Sequence, residues 1–267
     1  MLLWRVLSSL VLIPVVLLLL YYSSVIWFQL TVVIVELIIA FELIKISDFN
    51  KKYKIDKEVI ISSILFIAGS LLLSFRLALE GALTITIIMI LVWEMTKERD
   101  MAVVFESFAI NSFSVIYVSW FLNHAVLLRR VDVNLVLLVL LITWANDIGA
   151  YSIGKLFGRH KLAENISPAK TYEGSIAGLC SGIITAELLK YYLFKSISYS
   201  DMFIGALFIS IAGQFGDLVE SAIKRSFKVK DSGNLIPGHG GLLDRVDSLI
   251  FAFPIAFYYF VFLSHLR

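Results

Sequence analysis

The sequence predicts an all-α protein, a polytopic transmembrane helical bundle of about nine spans. Hydrophobic residues make up 59% of the 267 residues and charged residues only 16%, which is more apolar surface than one water-soluble core can bury. The apolar residues form continuous runs and do not alternate with polar ones, and this favours helices over a transmembrane β-barrel. The formal net charge of +2 is too small to indicate nucleic acid as a partner.

Apolar runs account for the predicted helices in chain order. They cover residues 6–22, 25–44, 59–75, 82–96, 101–122, 133–157, 172–194, 201–223 and 246–265. Gly69 and Gly81 interrupt or shorten the third and fourth runs, so eight or ten spans remain open alternatives. The first run resembles a signal peptide, but no small-residue cleavage site follows it, and a retained helix is the simpler interpretation.

The positions of the basic residues predict the orientation. With nine spans, the N terminus lies on the same side as the loops near Lys51, Lys97, Lys161 and Lys228, and this side holds most of the 23 lysines and arginines. Because basic residues collect in cytoplasmic loops, we predict that the N terminus and these loops face the cytoplasm. The short loops between the predicted spans favour a location in a bacterial inner membrane over an organelle membrane.

The domain organisation follows from what is missing between the runs. We find no inverted repeat and no low-complexity linker, so residues 1–267 are interpreted as one integral membrane domain. Within it, residues 1–130 form an apolar spanning region, and residues 131–267 form the half that carries the chemistry.

Charged residues and glycines are concentrated between the last two apolar runs. Ionisable residues near a bilayer are costly and commonly mark a functional site. Carboxylates recruit Mg²⁺, cations hold phosphates, and glycines let backbone N–H groups approach an anion. The ionisable members are Asp217, Glu220, Lys224, Arg225, Lys228, Lys230, Asp231, His239, Asp244, Arg245 and Asp247. This composition predicts a site that handles phosphate groups.

Polar residues follow a helical spacing in three of the predicted spans. The stripes are Gln214, Asp217, Ser221 and Lys224 in the eighth run, Asp244, Asp247 and Ser248 in the ninth, and Asn146, Asp147, Tyr151 and Lys155 in the sixth. Exposing such a stripe to lipid carries a large desolvation cost, so each must face protein or water. All three point toward the predicted cytoplasmic side.

Two aspartates on different helices are the candidate metal ligands. Asp217 and Asp244, close in sequence to cations, suit a Mg²⁺ ion that keeps waters and takes substrate phosphate as its other ligands. The alternative is a pair of buried ion pairs, with Lys224 and Arg245 as partners. For Asp147, a role in the site and a local role in capping or packing both remain open.

Two loops carry further candidates. Residues 237–241 (PGHGG) are typical of a tight turn, but with Asp244 and Arg245 close behind they predict backbone N–H groups and His239 lining a polyphosphate pocket. No second histidine stands at metal spacing, which disfavours zinc. In residues 158–174, Thr171 is a candidate helix cap, and Lys170 and Arg159 are candidate substrate cations.

The segment from Ser221 to Asp247 resembles the signature of the phosphatidate cytidylyltransferases, also called CDP-diacylglycerol synthases. The resemblance extends to residues 213–217, 167–174 and 147–151, whereas residues 1–130 match only as several apolar spans. Members of this family transfer a cytidylyl group from CTP to phosphatidate and release pyrophosphate. The resemblance implies a Mg²⁺-dependent homodimer in the membrane, with a metal pair at Asp217 and Asp244 and K⁺ as a second metal.

The resulting hypothesis assigns a role to each candidate. Asp217 and Asp244 bind metal, and the other catalytic residues are Ser221, Lys224, Arg225 and Arg245. The residues predicted to bind substrate are Asp147, Lys170, Lys230, Asp231, His239, Gly240, Gly241 and Asp247. Phosphatidate is expected to enter sideways from the inner leaflet, because its acyl chains prefer the hydrocarbon while its headgroup must reach the charged residues.

Two other functions remain open at this point. A CTP-dependent polyprenol or dolichol kinase would use a related site but release CDP instead of pyrophosphate. A membrane transporter of a phosphorylated solute would also need buried charge, although the lack of an inverted repeat disfavours it. The D-G-x-x-A-R element of CDP-alcohol phosphotransferases does not occur in the sequence.

Overall fold

The computed structural model describes residues 13–48, 55–72, 78–97, 100–233 and 240–263. Its helices are α1 Ile13–Tyr22, α2 Val25–Asp48, α3 Lys57–Ser70, α4 Ala78–Thr96, α5 Met101–Val115, α6 Phe121–Val131, α7 Val133–Phe157, α8 Tyr172–Leu193, α9 Tyr199–Ser226 and α10 Leu243–Phe257. π-Helical turns, Ile116–Trp120 and Tyr258–Leu263, follow α5 and α10. The predicted helical class is confirmed.

Five helical stretches within the described residues are long and apolar enough to cross a membrane. They are Ala78–Thr96, Val103–Val131, Val133–Phe157, Tyr172–Leu193 and Tyr199–Ser226. The chain is therefore an integral membrane protein built from helices. The count of nine spans and the cytoplasmic N terminus stay predictions, and residues 6–12, 73–75 and 264–265 of the predicted runs lie outside the described residues.

The helix predicted over residues 101–122 continues to Val131. Hydropathy ends the run early because α6 carries Asn123, His124, Arg129 and Arg130, and these polar residues lower the local apolar content without preventing a helix. Asp132 then separates α6 from α7, since its side chain accepts a hydrogen bond from the N–H of Asn134 and caps the new helix.

A short β-hairpin between α7 and α8 was not predicted. Strand β1 (Lys161–Ala163) pairs antiparallel with β2 (Ser167–Thr171), and Lys161 lies opposite Thr171. Strands of this length give no detectable two-residue periodicity, so the sequence indicated only a loop. The side chain of Thr171 accepts a hydrogen bond from the N–H of Gly174, which confirms the predicted capping role at the start of α8.

The described residues form two compact units. The first comprises the chain up to Asn123 together with Phe227–Asp244, and the second comprises His124–Ser226 and the chain from Arg245 onward. The interpretation of the whole chain as one domain stays a prediction. The first unit buries apolar residues of α2, α3 and α4, among them Ile39, Ile60 and Leu79.

Small residues allow the helices of the second unit to approach closely. A Cβ atom at Gly174 of α8 would lie 2.7 Å from the carbonyl oxygen of Ala150 in α7. A Cβ atom at Gly216 of α9 would lie 2.5 Å from the carbonyl oxygen of Asp247 in α10. Glycine at these two positions therefore lets backbone contact backbone, as is common between membrane helices.

Candidate active site

A buried amide network fixes α7, α8 and α9 to each other. Asn146 of α7, which is 1% exposed, donates from Nδ2 to the carbonyl oxygen of Ser210 at 3.0 Å. Gln214 of α9 donates from Nε2 to Oδ1 of Asn146 at 2.9 Å and to the carbonyl oxygen of Ser175 at 2.9 Å. The Ser175 hydroxyl donates back to Oε1 of Gln214. The network therefore fixes the positions of two nearby acids, Asp147, which follows Asn146, and Asp217, which lies one turn beyond Gln214.

Three carboxylates converge next to this network. One oxygen from each of Asp217, Glu220 and Asp247 lies within 4.8 Å of the other two, a geometry that could hold a metal ion. Glu220 is buried, and the two aspartates are partly exposed. Gly216 makes the convergence sterically feasible, because it allows the backbone of Asp247 to come close to α9.

Lysines accompany the carboxylates of α9. Nζ of Lys170 lies 2.7 Å from Oδ2 of Asp217, and Nζ of Lys224 lies 2.6 Å from Oε2 of Glu220 one turn earlier in the helix. Asp147 is within electrostatic range of Asp217, Lys170 and Arg245. The second unit therefore places acidic groups that could hold a metal ion beside cations of the kind that bind phosphate.

The hairpin explains how Lys170 reaches α9. Glu173 accepts hydrogen bonds from the N–H groups of Arg159 at 3.1 Å and His160 at 3.3 Å, and it lies 2.6 Å from Nδ1 of His160. These contacts hold the start of the hairpin against the first turn of α8. Lys170 directly precedes the cap residue Thr171, so it projects from a backbone that is fixed on both sides. The substrate role of Arg159 stays a prediction.

Asp244 contacts Ser232 and Gly241 within the first unit. Its Oδ2 accepts hydrogen bonds from the N–H of Gly241 at 2.8 Å and the N–H of Ser232 at 3.2 Å, and it lies 2.9 Å from the hydroxyl oxygen of Ser232. Gly240 has φ of +80°, and a Cβ atom there would lie 2.6 Å from Oδ2 of Asp244, so both backbone shape and space require glycine. The N–H of Gly241 therefore binds Asp244, whereas the sequence predicted that it faces a phosphate.

The predicted site residues divide between the two units. The second unit brings together Asp147, Lys170, Asp217, Lys224 and Asp247. Three further predicted residues also belong to the second unit. Ser221 is partly exposed, Arg245 is exposed, and Arg225 donates from Nε to the carbonyl oxygen of Ile166 at 3.4 Å.

The remaining predicted residues belong to the first unit. They are the exposed Lys230 and Asp231, together with Gly240, Gly241 and Asp244. His239 lies outside the described residues. The metal-binding role of Asp244 stays a prediction.

Sequence reasoning missed two acidic residues that the structure makes prominent. Glu220 was counted among the charged residues but given no role, although its spacing of three from Asp217 already placed both on one helix face. Glu42 was passed over as part of an apolar run. The general rule that an ionisable residue inside a membrane span marks a functional position would have identified it.

These features define a class, an integral membrane protein with a cluster of acidic and basic side chains on its helices. Residues 3–263 match the sequence model of the cytidylyltransferase family, and the chain belongs to this family.

Individual relatives match over part of their length. The chain is 37% identical over 157 residues to a phosphatidate cytidylyltransferase of Bacillus subtilis (strain 168), which is 58% of either chain. It is 42% identical over 142 residues to one of Staphylococcus haemolyticus, covering 53% of this chain and 55% of the relative. It is 45% identical over 127 residues to one of Staphylococcus aureus (strain COL), covering 48% and 49%. The matched region thus spans about half of these curated relatives.

Proposed function

We propose that the protein transfers the cytidylyl group of CTP to phosphatidate, forming CDP-diacylglycerol and pyrophosphate. The observation that carries this proposal is the meeting of Asp217, Glu220 and Asp247 with the cations Lys170 and Lys224. The cytidylyltransferase family and the names of the relatives support CTP and phosphatidate as the substrates.

The three carboxylates fit a divalent cation such as Mg²⁺. They offer oxygen ligands, and one oxygen from each lies within 4.8 Å of the others. We assign the metal to Asp217, Glu220 and Asp247, with Asp244 as a further candidate from the sequence. Mg²⁺ bound there would neutralise charge that develops on the phosphates during the reaction. The K⁺ ion implied by the family resemblance stays a prediction.

The protein needs no strong general base in this reaction. A phosphate oxygen of phosphatidate is already an anion, and it attacks the α-phosphorus of CTP. A new P–O bond forms, the bond from that phosphorus to the bridging oxygen of the β-phosphate breaks, and pyrophosphate leaves. We assign Lys170 and Lys224 to the phosphates, since their ammonium groups already lie beside carboxylates of the site. Their charge lowers the repulsion between two anionic substrates.

The remaining predicted residues are assigned to substrate binding. Arg225 and Arg245 are exposed cations for phosphate groups, and Lys230 is an exposed cation for the triphosphate or pyrophosphate. Asp147 lies in the same electrostatic environment as Asp217 and Lys170, which supports a role in the site over a purely local one.

We further propose that the site faces the cytoplasm of a bacterial inner membrane and that phosphatidate enters laterally from the inner leaflet. The distribution of lysine and arginine in the sequence supports this orientation. A homodimer is proposed on the family resemblance. Cross-linking of the protein in native membranes, before detergent is added, would test the dimer.

The test of the reaction is pyrophosphate release by the detergent-purified full chain. The protein receives CTP, Mg²⁺ and phosphatidate, and control samples contain EDTA or lack lipid. Pyrophosphate that requires both lipid and metal, together with a CDP-lipid product, is the expected result. CDP with a phosphorylated prenol would instead identify a kinase. Absence of product with every lipid acceptor would refute the proposal and favour the alternative of a membrane transporter.

A further inference from the structure

A buried carboxylate of α2 binds residues of the signature segment that are 190 to 201 positions away in the sequence. Glu42 is 5% exposed. Its Oε1 accepts a hydrogen bond from the N–H of Leu242 at 2.8 Å. Its Oε2 accepts a hydrogen bond from the N–H of Leu243 at 2.9 Å and lies 3.1 Å from the hydroxyl oxygen of Ser232. Both carboxylate oxygens are therefore used on one short segment of chain.

The contacts of Glu42 match a need of α10. The first N–H groups of a helix have no partner within the helix, and the partial positive charge at that end favours an anion. Leu242 and Leu243 stand at this end, and Glu42 supplies their acceptor from a different helix. A buried carboxylate is stable only when its oxygens are hydrogen-bonded, so the two groups depend on each other.

Ser232 connects Glu42 to Asp244. Its Oγ lies 3.1 Å from Oε2 of Glu42 and 2.9 Å from Oδ2 of Asp244. A hydroxyl has one proton to donate, so it can serve only one carboxylate at a time. The space between the two acids is also filled, since a Cβ atom at Gly241 would lie 2.6 Å from Oε2 of Glu42. Glu42 thus contributes to the placement of Gly241 and Asp244.

We propose that Glu42 is a positioning residue that holds Ser232 and residues 241–244 in the arrangement that binds CTP. This inference rests on the proposed function, because Gly240, Gly241 and Asp244 are the predicted contacts for triphosphate and metal. Glu42 itself acts through Ser232, Leu242 and Leu243.

The same helix offers a matched control. Glu36 is also a buried acid of α2, with 0% exposure, but its Oε1 accepts a hydrogen bond from Nδ2 of Asn123 at 2.7 Å. Glu36→Gln and Glu42→Gln make the same chemical change six residues apart. Gln at position 42 keeps one acceptor oxygen and turns an NH₂ group toward a backbone N–H. It can therefore accept a hydrogen bond from only one of the N–H groups of Leu242 and Leu243.

The kinetic test compares both variants with the wild type, as the detergent-purified full chain. In Glu42→Gln we expect KM for CTP to rise by about 10- to 100-fold, the range seen when a partner that orients a site is removed. KM for phosphatidate should not change. Glu36→Gln should retain both KM values. A merely structural role would lower the fraction of active enzyme, and hence the apparent kcat, without raising KM for CTP alone.

A second readout does not depend on activity. Hydrogen exchange at the backbone amides of Gly241, Leu242 and Leu243 should be faster in Glu42→Gln and unchanged in Glu36→Gln. Ser232→Ala is a smaller change and provides the test if Glu42→Gln does not fold. It should also accelerate exchange at Gly241, Leu242 and Leu243. Unchanged exchange in these variants, or equal KM values in wild type and Glu42→Gln, would overturn the inference. A wild type that does not convert CTP would refute the proposed function, and exchange alone would then decide whether Glu42 holds the segment.

Discussion

Lys170 and Asp217 form an ion pair between a hairpin strand and a membrane helix, with 2.7 Å between Nζ and Oδ2. The lysine comes from a five-residue strand, and the cap of α8 follows it directly. A cation from outside the apolar helices is thereby placed beside the acidic cluster. The pair gives the hairpin a role in the candidate site that its short strands alone would not suggest.

Removal of the Lys170 charge should reduce turnover. We expect Lys170→Met to lower kcat by about 10²- to 10³-fold, as for other single groups that stabilise charge in a transition state. Lys161→Met is the control, because Lys161 lies in the same hairpin and donates to the carbonyl oxygen of Pro168. Pyrophosphate release at saturating CTP measures both variants, and equal losses would show that only hairpin integrity matters.

Glu220→Gln should raise the Mg²⁺ concentration that is needed for half-maximal activity. Glutamine keeps the size of the side chain but removes the negative charge that attracts a hard cation. Because a catalytic metal supplies several kcal/mol of charge stabilisation, activity at limiting Mg²⁺ should fall by about a hundredfold or more. A Mg²⁺ titration measures this, with Glu164→Gln in the exposed hairpin turn as the control. An unchanged titration would remove Glu220 from the metal site.

Gly216→Ala and Gly213→Ala should differ sharply in stability. The new Cβ atom at position 216 would lie 2.5 Å from a carbonyl oxygen of α10, whereas at position 213 the nearest atom, Cγ2 of Thr143, would lie 3.5 Å away. We expect Gly216→Ala to lose about 1 to 3 kcal/mol through overpacking and Gly213→Ala to lose little. Thermal unfolding in detergent measures both, and similar midpoints would contradict the close helix approach.

Asp56 and Lys97 should give part of the first unit a pH-dependent stability. Burial raises the pKa of Asp56, but the hydrogen bond and charge of Lys97, 2.6 Å away, together with the N–H of Glu58, outweigh this and lower the pKa below its usual value. A depressed carboxyl pKa contributes stability above the pKa of the unfolded chain, and this is lost as pH falls through the folded pKa. The pair is partly exposed, so its contribution should be at most about 1 kcal/mol.

Comparison of wild type with Asp56→Asn across acidic pH measures this contribution. Asparagine also caps helices well, so the substitution removes the charge and keeps the cap of α3. The difference in unfolding temperature should shrink as pH falls. A difference that is constant with pH would mean that the charge of Asp56 is irrelevant to stability.

Most of the helices were predictable because their apolar residues are visible in the local composition. The apolar runs lie within a few residues of α2, α7, α8 and α9. The spacing of Gln214, Asp217 and Ser221 also predicted which face of α9 is polar. These features depend on hydropathy and helical period alone, and both can be evaluated within one segment.

Partnerships between segments were less predictable. The sequence offered Lys224 as the partner of Asp217, whereas the structure pairs Lys224 with Glu220 and places Lys170 beside Asp217. The metal role of Asp244 and the phosphate role of Gly241 stay predictions, and the sequence did not indicate the hydrogen bond between these two residues. A charged residue has several candidate partners in sequence, and only the tertiary arrangement selects among them.

The amides of Asn146 and Gln214 each use their donor and acceptor ends, so neither can be flipped without breaking two contacts. Lipid tails are as apolar as leucine, and apolar contact alone gives little penalty when one membrane helix slides along another. Displacing α9 by one turn would separate both amides from their partners. The lengthwise alignment of three helices, and with it the height of Asp217 in the membrane, is thus encoded by two uncharged side chains.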